Sequence, residues 1–404
     1  MAKKAYASGD GIARKVKKIY GGVDGVARKV KKAYVGIGGV ARPCFGSGLE
    51  YYGMITPLSE RRRCVGAATV GECALFAGGV SPGGEIYRGV DGFDNALTKL
   101  SSVPDLTESA VGTSVERFAA TTVGNYALFA ASAYNNKTAD AYDGALTKSS
   151  PTILTHDDSE MSAASIGDYA LIAGGWFGGS RTNLVNVVNS SLTKMSDSGI
   201  RYKVRRPTGV SGKNYAFFAG GNTSGTWDNT TSFLNYVTAF DSSLTCSFPP
   251  DLTDRKCPAG ASIGNYVVFA GMAYGDGLYA SNSTCDTTMV EVYDASLTKS
   301  LAAPLSANTH NVMGASTGDY ALFIGCFYYT SSDDSPNGVL DAKYHIVNAY
   351  DSSLTQTILE DDAVAIQSAM QYGPNASAIL KDYALFTGGD SNGRTDKVIA
   401  YKLL

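Results

Sequence analysis

The chain has 404 residues and a net charge of −3; 44% of it is hydrophobic and 18% charged, with 46 Gly and 25 Tyr. That composition excludes a disordered chain and suits many short strands joined by turns. No run of about 18 apolar residues is present to span a bilayer, and seven Cys without a Cys-x-x-Cys pair support neither a zinc site nor a disulfide framework.

The N-terminus, MAKKAYASGDGIARKV, is basic and lacks the apolar core of a signal peptide. The expectation is synthesis in, and retention by, a cytoplasm until another route releases the protein. Residues 3–42 then repeat every 14 residues, placing Tyr6, Tyr20 and Tyr34, and Arg14, Arg28 and Arg42, at equal steps. Gly21-Gly22 and Gly38-Gly39 read as turns. Between them Val26, Arg28, Val30, Lys32 and Tyr34 alternate with Ala27, Lys29, Lys31 and Ala33, which predicts hairpin strands.

Eleven Lys and Arg against Asp10 and Asp24 give this segment a charge of +9, and the other 23 basic and 35 acidic residues leave −12 on the rest. So few large apolar groups cannot build a core, so the segment is expected to be ordered by a partner or by oligomerisation. Residues 1–42 are assigned as an anchor whose docking residues are Tyr6, Arg14, Tyr20, Arg28, Tyr34 and Arg42, and 43–48 as a linker. A basic arm can bind nucleic acid; the 14-residue repeat and the absence of a recognition fold favour docking onto protein. The phrase GVARKVKKAYVGIGGVAR resembles N-terminal segments of minor structural proteins of tailed bacteriophages and prophage particles of Firmicutes. The resemblance implies a virion protein whose N-terminus binds other virion proteins.

From residue 49 onward a second repeat takes over. VGECALFAGG at Val70 returns as VGNYALFAAS at Val123, IGDYALIAGG at Ile166, SGKNYAFFAGG at Ser211, IGNYVVFAGM at Ile263, TGDYALFIGC at Thr317 and LKDYALFTGG at Leu380. The seven copies are separated by steps of 53, 43, 46, 51, 54 and 63 residues, in the range of propellers and solenoids. In NYALFA from Asn125, Tyr126, Leu128 and Ala130 face one way and Ala127, Phe129 and Ala131 the other, so both faces are apolar. Such a strand belongs in a sheet sandwiched between sheets.

A small-residue segment precedes each copy, suited to the crowded innermost strand of a propeller. A segment such as VEVYDASLTK (Val290) follows it, supplying a third strand, a turn and a less regular fourth strand. The last unit stops after its third strand, and residues 49–58 resemble a fourth, so the N-terminal piece is expected to complete the last blade. The fold class is all-β: a seven-bladed propeller over 49–404, preceded by a β-hairpin-repeat anchor. Gly78-Gly79, Gly174-Gly175, Gly220-Gly221 and Gly388-Gly389, followed by Tyr142-Asp143, Phe240-Asp241, Tyr293-Asp294 and Tyr350-Asp351, resemble kelch repeats. Leu146, Leu244, Leu297 and Leu354 stand where the kelch pattern has Trp. Propellers of that kind serve enzymes, adaptors and adhesins alike.

No Walker loop is present, and the chain has three His: His156, His310 and His345. His156-Asp157-Asp158 reads as a polar loop in preference to a metal corner, and Arg61-Arg62-Arg63 and Arg205-Arg206 as solvated loop charge in preference to an anion site at a channel mouth. No catalytic residue, metal ligand or cofactor is assigned. The segments between second and third strands lengthen to about 15, 17 and 20 residues in units four to six. With the shorter one of unit three, they carry Trp176, Phe177, Trp227, Tyr274, Tyr279, Tyr328, Tyr329 and Tyr344, a candidate ligand-binding face suited to stacking on sugars.

The functional expectation is a non-enzymatic virion structural protein, present in several copies, attaching to a host-surface glycan or decorating the tail, baseplate or collar. The alternative is an intracellular adaptor whose basic arm binds nucleic acid or phosphate; an enzyme acting on surface sugars comes third.

Overall fold

The computed structural model describes residues 48–107, 119–130, 137–223, 234–253, 258–271, 288–306, 309–327, 345–360, 376–387 and 396–403, together with six short strands between residues 6 and 45. Seven antiparallel sheets follow one another along the chain, each built around one copy of the YALFA-type phrase. The protein is a seven-bladed β-propeller.

Each blade starts with an inner strand of small residues: Gly66–Val70, Ala119–Val123, Ser162–Ile166, Thr208–Ser211, Ala259–Ile263, Thr309–Ser316 and Ala376–Leu380. These strands approach so closely that side chains are excluded at several points. A Cβ on Gly314 would lie 2.1 Å from the Gly260 carbonyl oxygen, and one on Gly209 2.4 Å from that of Ala163. Hydroxyls lace the ring from blade to blade, Thr69 to Ile379 O, Thr122 to Thr69 O, Ser262 to Ser211 O and Ser377 to Gly314 O, at 2.6 to 2.9 Å. Small polar residues therefore serve both space and hydrogen bonding at the axis.

The second strands are buried on both faces, as the alternation requires. Leu128 and Ala130 pack toward blade three, whereas Ala127 and Phe129 pack toward blade one. The same division gives seven apolar clusters, each shared by two neighbouring blades and each holding aliphatic or aromatic residues of both. The hydrophobic core is thus a ring of interblade interfaces.

After the third strand of each of the first six blades comes an Asp/Asn-x-x-Leu-Thr turn. The side-chain oxygen of Asp94, Asp143, Asn189, Asp241, Asp294 or Asp351 accepts from the N–H groups two and four residues on, at 2.8 to 3.0 Å. The turn puts Leu97, Leu146, Leu192, Leu244, Leu297 and Leu354 at φ of 57° to 63°. That backbone costs an L-residue about 1–2 kcal/mol. The side chain offsets it by packing into the interface with the preceding blade, where Leu97 joins Leu385 and Val398.

Two details differ from the sequence-based expectation. Blade one has three regular strands, Gly66–Val70, Cys73–Ala77 and Val90–Asp94, with a single bridge from Phe93 to Lys99 in place of a fourth. Leu100 and Val103 fold against Gly92, whose missing side chain leaves room for them. In blade three the third strand runs from Ser180 to Asn189 and pairs with Trp176–Phe177, so the segment read as a loop is a β-hairpin.

The last blade is closed by the N-terminal side of the ring. Leu49–Ile55 pairs antiparallel with Val398–Leu403, from Leu49 opposite Leu403 to Ile55 opposite Val398. Tyr51 meets Tyr401 at 5.6 Å between ring centroids.

Three hairpins precede the ring: Tyr6–Ala7 with Arg14–Lys15, Tyr20–Val23 with Val26–Lys29, and Ala33–Ile37 with Val40–Phe45. Their registers repeat with the sequence, Ala7 opposite Arg14, Gly21 opposite Arg28 and Val35 opposite Arg42. Gly21-Gly22 therefore lies inside a strand and not at a turn. The 26–34 alternation is divided between two hairpins, and the last strand runs past Arg42 to Phe45.

Candidate functional site at the linker rim

Because the strands alternate in direction, the propeller has two unlike rims. One, the hairpin rim, carries the tight turns between first and second strands and the Asp-x-x-Leu-Thr turns. The other, the linker rim, is where the chain passes between blades, where inner strands begin, and where the second-to-third-strand segments emerge. At the start of the inner strands the axial channel opens a cavity of about 260 Å³, bordered by Cys64, Ala119, Met161, Pro207, Pro258 and Ala376 among others. Among the described residues its lining is apolar and hydroxyl-bearing and holds no carboxylate, imidazole or cationic side chain.

A repeated polar latch holds each linker beneath its blade. Equivalent third-strand positions in blades one to six hold Asp91, Asp140, Asn186, Thr238, Glu291 and Asn348, each at most 3% exposed. Asp91 accepts from Ser59 N at 3.0 Å, Asp140 from Thr107 N at 2.7 Å, Asn186 from Thr155 N at 2.7 Å, Glu291 from Thr253 N at 2.8 Å and Asn348 from Ser306 N at 3.0 Å. The Ser or Thr follows a buried Leu in every case. Lysines of the Leu-Thr-Lys turns complete it, Lys148 on Asp105 O and Lys299 on Asp251 O. Tyrosines join them, Tyr142, Tyr293 and Tyr350 donating to Pro104, Pro250 and Ala303 carbonyls. The signal was in the sequence: a polar residue breaks an otherwise apolar strand two places before the aromatic in five of seven units, and two places before Val188 in a sixth.

Blade one makes the latch ionic, which corrects the reading of Arg62 as solvated charge. Arg62 is fully buried; its Nη2 lies 2.5 Å from Asp91 Oδ2, its Nη1 donates to Gly89 O, and its guanidinium is 4.6 Å from the Tyr87 ring centre. Burial alone would raise the Asp91 pKa, but Arg62, Lys99 and Ser59 hold it below the usual carboxylate range. Arg205 and Arg206 are also buried, against Glu160: Arg206 Nη2 is 2.8 Å and Arg205 Nη1 3.3 Å from its carboxylate.

Those two arginines belong to the cluster around Trp176. The Gly174-Gly175 pair ends the second strand with φ of 68° and 121°, and a Cβ on Gly175 would lie 2.7 Å from Ser159 O. Trp176 then exchanges two backbone hydrogen bonds with Ser159, at 2.8 and 3.1 Å, and the chain reverses at Gly178-Gly179, both at positive φ. Trp176 faces Arg181 across this hairpin. The Arg181 and Arg205 guanidinium carbons lie 4.9 and 5.6 Å from the Trp176 ring centre. Phe177 stacks on His156 at 4.3 Å and 10°.

Beneath the hairpin, Asp158 is fully buried, and neither of its oxygens has a hydrogen-bond partner among the described residues. His156 Nδ1 is 3.9 Å from its Oδ2. Burial, and secondarily the Asp157 charge, push the Asp158 pKa up to about 7.

No protein family and no curated protein matches the chain. Among solved structures it is similar to that of YjhT, with 12% identity and a TM-score of 0.49, over 86% of this chain and 95% of that one. Of the aromatic residues assigned to a ligand face, Trp176 and Phe177 stand together on the rim. Trp227, Tyr274, Tyr279, Tyr328, Tyr329 and Tyr344 lie outside the described residues. Tyr6, Arg14, Tyr20, Arg28, Tyr34 and Arg42 all fall in strands of the N-terminal hairpins. No group of three metal-binding side chains occurs among the described residues.

Proposed function

We propose that this chain is a non-enzymatic structural component of a tailed-phage-type particle, held by its N-terminal hairpins and displaying the linker rim toward a host-surface glycan. The observation that carries the reading is the placement of the tether. Leu49, the first residue of the closing strand, pairs with Leu403 at the hairpin rim, where Leu403 N also donates to Asp382 O at 2.7 Å. Gly48 sits against Tyr320, with room for no side chain: a Cβ there would lie 2.5 Å from the Tyr320 hydroxyl. The anchor therefore joins the ring at the rim opposite the channel mouth and the Trp176 hairpin. A scaffold that holds residues 1–42 leaves the linker rim facing outward.

The kelch-like pattern supplies a rigid display body, and many copies on one particle convert weak single contacts into avidity. The charge division, +9 on the anchor and −12 elsewhere, suits docking of the anchor on an acidic surface that repels the ring. The neutral channel lining supports a binding role over glycoside hydrolysis, which uses a pair of facing carboxyl groups.

The test is immunogold electron microscopy of induced particles with an antibody against residues 49–404, alongside particles whose protein lacks residues 3–42. Gold at the tail tip, baseplate or collar, lost on the deletion, is expected. Particles without gold, with the isolated arm binding DNA in a salt-dependent way, would replace this reading with the intracellular adaptor.

A further inference from the structure

We propose that the Trp176 hairpin and Arg205 form a binding site for an acidic sugar, whose carboxylate or phosphate bridges the guanidinium groups of Arg181 and Arg205. The sugar part rests on the glycan-display reading; the anion part follows from the geometry of the rim.

Two arginines converge here on one carboxylate, and a third, Arg181, shares the Trp176 ring with one of them. Glu160 is engaged by Arg206 at 2.8 Å and by Arg205 at 3.3 Å, which leaves Arg181 without an acidic partner within ion-pair distance among the described residues. Arg181 Nε is buried and has no hydrogen-bond partner there. Two like charges held at one indole ring repel each other, and burial followed by the charge of Arg205 depresses the Arg181 pKa against the opposing pull of Glu160. An anion beside the two guanidinium groups relieves that repulsion and gives Arg181 an acceptor, and planar guanidinium groups match carboxylate and phosphate geometry.

The site is also pre-organised. Trp176 is fixed by its paired hydrogen bonds to Ser159, Gly175 N donates to Val204 O at 2.8 Å, and the Gly178-Gly179 reversal holds Arg181 directly opposite Trp176. Trp176 is thereby a positioning residue for both guanidinium groups. Phe177, 40% exposed, stands at the hairpin tip and offers an apolar surface to a sugar ring. Arg205 lies two positions before Pro207, which borders the channel cavity.

The chain has two tryptophans, so a Trp227→Phe background makes fluorescence report Trp176 alone. In that full-length protein, glucuronate, glucose 6-phosphate, glucose and inorganic phosphate are titrated at constant ionic strength. A saturable change with glucuronate or glucose 6-phosphate, and none with glucose, is expected; which of the two acts identifies the acidic group. Arg181→Gln should weaken the affinity at least tenfold, with Arg181→Lys intermediate and both variants keeping the parent Tm within a few degrees. No saturable response to either acidic sugar, unchanged affinity in Arg181→Gln, or inorganic phosphate binding as tightly as the sugars would overturn the proposal. Gold on particles without acidic-sugar binding would sink this site and leave the display reading standing; sugar binding without gold would do the reverse.

Discussion

Two buried aspartates respond to pH with opposite sign. Asp91 is held below its ordinary pKa in the folded ring, so its stabilisation is present above about pH 4 and is lost as pH falls through the folded value. Asp158 is raised to about 7, so the folded state binds its proton more tightly and stability declines as pH rises from about 4 to 7. Asp158→Asn should therefore raise the Tm by several degrees at pH 8 and leave it little changed at pH 4, read by thermal unfolding across that range; an unchanged difference between the two pH values would contradict the account. Asp91→Ala leaves Arg62 buried beside Lys99 without its carboxylate, and a loss of about 3–5 kcal/mol is expected in denaturant unfolding. These side chains were the least legible in the sequence. Arg62 and Arg206 look like surface charge in a basic run, because a run of arginines does not reveal which member points inward.

At the scale of strands and turns, inner-strand glycines are the tightest points. Gly314→Val should cost several kcal/mol, because its nearest obstacle is the Gly260 backbone oxygen at 2.1 Å, which has little freedom to move. Removal of residues 49–58 should expose the edge of Val398–Leu403 and lower the unfolding temperature of the whole ring, with aggregation visible by light scattering. The strands that form the ring were readable because burial on both faces leaves an unbroken apolar phrase, and seven copies of it average out local irregularity. The hairpin at Trp176–Arg181 was less readable, since its strands are too short for period-two alternation to show. Gly178-Gly179 is the one signal of that reversal in the sequence. In the N-terminal hairpins, the glycine pair at 21–22 pointed to a turn, whereas the pair lies inside a strand.

For the molecule as a whole, two features combine: a ring sealed by its own N-terminal strand and a tether that joins it at one rim. The sequence revealed the sealing strand through the incomplete last unit, but the rim from which the anchor leaves depends on strand direction and register, which periodicity does not carry. The polarity of the ring follows from that register: the closing strand begins at the hairpin rim, and the channel cavity and Trp176 cluster lie on the linker rim. The most direct test is to insert the same short peptide tag at Gly178-Gly179 on the linker rim or at Gly167-Asp168 on the hairpin rim and to image tag-directed gold on assembled particles. The account predicts dense labelling of the 178–179 tag and protection of the 167–168 tag, with both lost when residues 3–42 are deleted. Labelling of the 167–168 tag with protection of the 178–179 tag, or particles that carry neither, would contradict it.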